Sequence, residues 1–77
     1  MSFKNVKDET MEARGLKARD LKVCKYMSMG MSMEEIADHL YVSPHTVRDS
    51  VRRLYDAFGV NKQTAAVAHA LRAGLID

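Results

Sequence analysis

Between Ser32 and Gly59, apolar positions recur at helical spacing on either side of a two-residue break, and polar residues with capping chemistry mark each start. Ser32, followed three residues later by Glu35, forms a capping box in which each side chain satisfies the other's backbone N–H. A short helix therefore starts near Met33, with Met33, Ile36, Ala37 and Leu40 on its inner stripe. Glu34, Glu35 and Asp38 complement the positive end of its dipole. Tyr41 and Val42 form the turn. Ser43 and Pro44 then open a second helix as N-cap and first helical residue, where proline's missing N–H costs nothing. Val47, Val51, Leu54 and Phe58 make one buried stripe along it, and Gly59 supplies a left-handed cap. A scaffolding helix, a tight turn and a longer helix over about residues 44–58 are together a helix-turn-helix signature.

The flanks add two more helices. Residues 18–29 carry Leu21, Val23, Cys24 and Met27 toward the core and stop at Gly30, with Lys17 and Asp20 at a weakly capped, fraying start. Residues 62–73 form the last helix, between an Asn61 cap and a Gly74 cap, with Val67, Ala70 and Leu71 inward. Residues 1–15 are polar, charged and without periodicity, which predicts a flexible N-terminal arm ahead of a domain over residues 16–77.

At 100° per residue, His45, Asp49, Arg52 and Asp56 face away from the Val47 and Val51 stripe, with Arg48 and Arg53 on the flanks. A charged helix face is ordinarily just a solvated one. Here the preceding helix and turn favour a recognition role, because a major groove admits an α-helix and arginine pairs bidentately with guanine.

The sequence resembles the DNA-binding domain of LuxR/GerE-type regulators, of bacterial or phage origin, from Leu16 to Ile76. The resemblance is carried by the ordered spacing of Leu16, Arg19-Asp20, Val23, Gly30, Ser32, Glu35-Ile36-Ala37, Leu40, Val42-Ser43, Thr46-Val47-Arg48, Phe58-Gly59-Val60, Ala66-Val67, Ala70 and Gly74-Leu75-Ile76. It implies an all-α fold, a compact four-helix LuxR-type helix-turn-helix domain, with the recognition helix in the major groove and the last helix in dimerisation. Base-reading positions then fall on Arg48, Asp49 and Arg52, joined by His45, with Ser43, Thr46, Arg53 and Lys62 at phosphates. Asp49 stands apart, since its carboxylate repels phosphate yet accepts from the amino group of cytosine; it either sharpens specificity or weakens binding. Glu34, Ser50, Lys62 and Gln63 depart from the family pattern at positions that commonly support phosphate contact or local polar bonding. The smooth alanine-rich last helix presents Ala65, Ala68, His69 and Arg72 as dimer contacts, although alanine is also simply the best helix former.

Composition adds bounds to this reading. The 77 residues have room for one small domain with a modest core, and the 47% hydrophobic and 29% charged fractions are those of a folded chain. A net charge of +2, from 12 basic and 10 acidic residues, gives a weak overall pull toward nucleic acid, so charge distribution must supply it. Arg14, Lys17, Arg19, Lys22 and Lys25 gather along the first helix, and Arg48, Arg52 and Arg53 on the recognition helix. The single cysteine, Cys24, reads as core. His39, His45 and His69 lack metal-pair spacing, and Met27, Met29, Met31 and Met33 straddle a helix end, so neither a metal nor a cofactor is expected. No phosphate loop or nucleophile with its base is present, which argues against an enzyme. Without a signal or membrane segment the expected location is cytoplasmic. With no sensor domain in the chain, its activity would be set by abundance, a partner or the arm. The expected partners are duplex DNA and a second copy of the chain, with another regulator or RNA polymerase as further candidates. The alternative is an interaction module that pairs with another LuxR-type regulator through its last helix and binds little DNA itself.

Overall fold

The computed structural model describes residues 15–77, which form four helices: α1 (Ala18–Ser28), α2 (Met33–Leu40), α3 (Pro44–Phe58) and α4 (Gln63–Arg72). The expected arm, and with it Arg14, lies outside the described residues apart from Gly15. The helix-turn-helix is α2 and α3. Its caps form as the sequence dictates: Ser32 Oγ accepts from the Glu35 amide at 3.1 Å, while Glu35 Oε1 accepts from the Ser32 amide at 2.8 Å. Ser43 Oγ accepts from the Thr46 amide at 3.2 Å at the head of α3. The last helix starts one residue later than expected, because extended Lys62, not Asn61, precedes its first turn and accepts the Ala66 amide on its carbonyl.

All three other helices pack against α3, and its stripe of Val47, Val51, Leu54 and Phe58 is buried throughout. Val23, Cys24 and Met27 of α1, Ile36 and Ala37 of α2, and Ala66 and Ala70 of α4 close the core around it, with Leu16 and Leu75 sealing the ends. Burial pushes the Cys24 thiol up to about 11, so it stays protonated and serves as a small hydrophobe. Leu21, expected inside, is only partly buried; the position turned fully inward on that side of α1 is Asp20. Leu71 also departs from expectation, at 47% exposed. Ala66 and Ala70, one turn apart, are the contact face of α4, and their small side chains leave the neighbouring Leu71 outside that seam. No helix among the described residues is long and apolar enough to cross a membrane.

The four helix ends share one hydrogen-bonding pattern. In each, an amide two or three residues beyond the helix donates back to a carbonyl five residues earlier: Met31 to Tyr26, Val42 to Ala37, Val60 to Tyr55 and Leu75 to Ala70. This Schellman closure needs a left-handed residue just before the donor. Gly30, Gly59 and Gly74 provide it at three ends, but at the elbow between α2 and α3 the residue is Tyr41, at φ 58° and 95% exposed. A side chain in that region carries roughly 1–2 kcal/mol of steric cost. The difference predicts opposite outcomes for two substitutions, read by urea denaturation. Gly59→Ala meets no atom within 4 Å and is strained through its backbone alone; it should lower stability by about 1 kcal/mol. Tyr41→Gly should raise it by about 0.5 kcal/mol, since relief of strain is partly offset by the greater freedom of glycine in the unfolded chain.

Candidate nucleic-acid interface

The interface is built on α3, whose buried stripe fixes which residues point outward. Ser43 and Thr46 sit at its head, their hydroxyl oxygens 3.1 Å apart. Exposed amides at a helix N-terminus and hydroxyls beside them suit a phosphate oxygen. His45, Arg48, Arg52 and Asp56 are exposed along the outer face, and Asp49 is half-exposed between them. Asp49 Oδ2 lies 3.5 Å from His45 Nε2 and its Oδ1 3.8 Å from Arg52 Nη1, so the carboxylate has a cationic or protonatable group one turn away on either side. Arg48 makes no ion pair among the described residues. Lys62 is exposed at the corner between α3 and α4.

Arg53 differs from the expectation that placed it at a phosphate. Its guanidinium turns inward and grips Asp20 with two bonds, Nε to Oδ2 and Nη2 to Oδ1, both 2.9 Å, and Nη2 also reaches Ser50 Oγ at 3.3 Å. Asp20 is wholly buried, and its Oδ2 accepts in addition from the Lys17 amide at 2.9 Å, so the same carboxylate caps α1. The start of α1, expected to fray, is instead tied to α3. Burial alone would push the Asp20 carboxyl up, but the Arg53 fork, the Lys17 amide and Ser50 outweigh it and hold the carboxyl below its ordinary value. The Arg53 guanidinium is correspondingly raised, first by its bonds to Asp20.

Asp20 and Ser50 are the residues that sequence reasoning did not assign to this arrangement. A signal for each was present: Asp20 lies three and four residues before buried Val23 and Cys24, and Ser50 lies three after Val47 and four before Leu54. Both polar residues thus occupy positions on or beside a core stripe.

Of the four expected dimer residues on α4, Ala68 and Arg72 flank exposed Leu71. A shallow groove of about 300 Å³ runs beside them between α1 and α4, lined by Met27, Val67, Ala68 and Leu71. His69 instead stacks on Phe58, ring centroids 4.4 Å apart, and Ala65 is half-buried.

Residues 14–70 match the family described as bacterial regulatory proteins, luxR family. Among curated proteins, the chain is 45% identical over 62 residues to "Probable transcriptional regulatory protein NarL" of Mycobacterium tuberculosis, in strains CDC 1551 / Oshkosh and ATCC 25618 / H37Rv, covering 80% of this chain and 29% of that protein. It is 36% identical over 59 residues to "Uncharacterized transcriptional regulatory protein YxjL" of Bacillus subtilis (strain 168), covering 77% of this chain and 27% of that protein. The chain thus spans less than a third of the length of these relatives.

The buried pair makes a stability prediction with a pH signature. Asp20→Ala leaves Arg53 without its partner and α1 without its cap, and should lower unfolding free energy by about 3 kcal/mol. Because the folded-state carboxyl titrates below the unfolded one, the contribution of Asp20 is complete above the unfolded value of about 3.9 and is lost as pH falls through the folded one. Urea titrations from neutral to acid pH should therefore show a steeper loss of stability in the wild type than in Asp20→Ala. Parallel curves would show that Asp20 is not the linked group.

Proposed function

The chain belongs to the luxR family of bacterial regulatory proteins, and on that premise we propose that it binds duplex DNA as a homodimer, with α3 in the major groove. The observation that carries this reading is the outer face of α3. One helix presents Arg48, Arg52, His45 and Asp49 together, while its inner face and the Arg53 clamp hold it against the other three helices. In this reading Arg48 and Arg52 donate to guanine N7 and O6. Ser43 and Thr46 bind a phosphate at the head of the helix, and Lys62 meets the backbone beside it. The names of the relatives, transcriptional regulatory proteins, extend the reading to control of transcription.

Dimerisation through α4 supplies what a single domain of this size lacks. Leu71 is exposed beside Ala68 and the apolar walls of Met27 and Val67, a surface that a second copy would cover. Two α3 helices about 34 Å apart would then read two half-sites one helical turn apart.

Binding of the purified protein to a randomised duplex pool at two salt concentrations tests the DNA reading. A two-part site should emerge; Arg48→Ala and Arg52→Ala should each weaken binding to it by about 1–3 kcal/mol and relax one position, whereas Lys62→Ala should weaken all sequences alike and flatten the salt dependence by about one ion. A folded protein that enriches no sequence, and whose arginine variants behave as the wild type does, would replace this reading with that of a module pairing with another LuxR-type regulator. For the dimer, Ala68→Glu should give a monomer in analytical ultracentrifugation and single half-site binding. A variant that remains dimeric places the interface elsewhere.

A further inference from the structure

We propose that Asp49 is a specificity-determining residue whose carboxylate accepts a hydrogen bond from the exocyclic amino group of a cytosine. The inference rests on the DNA-binding reading of α3 and adds the identity of a base to it.

An acid on a surface that meets phosphates is unfavourable unless something offsets its charge. Two neighbours do so here. His45 Nε2 and Arg52 Nη1 lie 3.5 and 3.8 Å from the two Asp49 oxygens, one on each side along the helix. Arg53, on the next turn, also feels the Asp49 charge. These separations are ion-pair distances, longer than the 2.7–2.9 Å of a formed charge-assisted hydrogen bond. Arg52, joined by His45 when that ring is protonated, therefore offsets the charge without occupying the acceptor positions of the carboxylate. A half-exposed group on the outer face of α3, electrostatically balanced and still able to accept, is suited to read a donor.

The groove chemistry then selects the base. An ionised carboxylate only accepts. Guanine offers it N7 and O6, both acceptors, and thymine offers O4 and a methyl group. Adenine has an amino group, but beside the N7 acceptor. Cytosine presents its amino group as a donor, and its paired guanine presents the two acceptors that an arginine fork requires. Asp49 and Arg52, one helical turn apart on the same face, thus have complementary demands that G·C pairs meet together. Pairing between them in the free protein also keeps Arg52 poised over the groove face.

The test is selection from a randomised duplex pool by the wild type, Asp49→Asn and Asp49→Ala, with circular dichroism to confirm that all three are folded. The wild type should select cytosine at one position of each half-site. Asparagine pairs bidentately with adenine N6 and N7, so Asp49→Asn should move that position to adenine and leave the rest of the site unchanged. Asp49→Ala should erase the preference there and bind the wild-type site about tenfold more weakly. If the variants select the wild-type sequences unchanged, or if Asp49→Ala tightens binding to all sequences alike, Asp49 is only a repulsive charge and the inference falls. A wild type that enriches no duplex overturns both this inference and the DNA-binding reading beneath it.

Discussion

The orientation of α3 is tied to one buried carboxylate. Asp20 accepts from the backbone at the head of α1 and from both arms of the Arg53 fork on α3, so the same two oxygens close a helix end and cross-link two helices through residues 33 apart in sequence. An ion pair with a buried carboxylate stabilises only when the remaining bonding capacity is satisfied, and here the amide of Lys17 and the hydroxyl of Ser50 complete the set around half-buried Arg53. No buried side-chain polar atom among the described residues lacks a hydrogen-bond partner. The apolar stripe alone would leave α3 some freedom to roll, because Val, Leu and Phe contacts are non-directional. A two-point hydrogen-bonded clamp to one side of that stripe is directional, and it sets the rotation of the helix. The outward direction of His45, Arg48, Asp49 and Arg52 follows from the stripe and the clamp together.

The second constraint is the elbow. Two Ser caps begin α2 and α3, and between them the chain must reverse in the three residues Tyr41, Val42 and Ser43. The left-handed conformation of Tyr41 makes that reversal possible while returning the Val42 amide to the Ala37 carbonyl. The other three helix ends reach the same closure with glycine. That an exposed tyrosine occupies the fourth at a steric cost is a feature for which the structure gives no packing reason, since its side chain is almost entirely in solvent.

What was legible in the sequence is what local chemistry determines. The capping box at Ser32 and Glu35, the Ser43-Pro44 start, the α3 stripe and the glycine stops each depend on residues within four or five positions of one another, and all of them form. The clamp was not legible because it joins Asp20 to Arg53 across a distance in sequence that no period spans. A helical wheel placed Arg53 on a flank, but it cannot distinguish a flank facing solvent from one covered by α1. Leu71 misled for a related reason. In a helix with this many alanines, the larger residue draws the inward assignment, whereas the close approach of α4 to the core requires the small ones, Ala66 and Ala70, at the seam. Helical geometry identified the outer face of α3, and the resemblance to LuxR-type domains the four-helix fold; the positions at which individual side chains meet DNA rest on the proposed reading.

Charge on α3 is distributed in a way that bears on how such a domain would bind. The helix carries three arginines, but Arg53 is committed to Asp20 and Arg52 shares the charge of Asp49, which leaves Arg48 as the arginine with no ion pair among the described residues. With a net charge of only +2 over the whole chain, long-range attraction to a polyanion is modest. A domain of this kind gains little from non-specific phosphate contacts, so in the proposed reading most of its discrimination comes from directed contacts to base edges and from repeating them in a second copy. An acidic residue on the reading face is consistent with that balance. In the proposed reading it lowers affinity for any arbitrary sequence while permitting a hydrogen bond to one base, and the difference between those two effects is specificity.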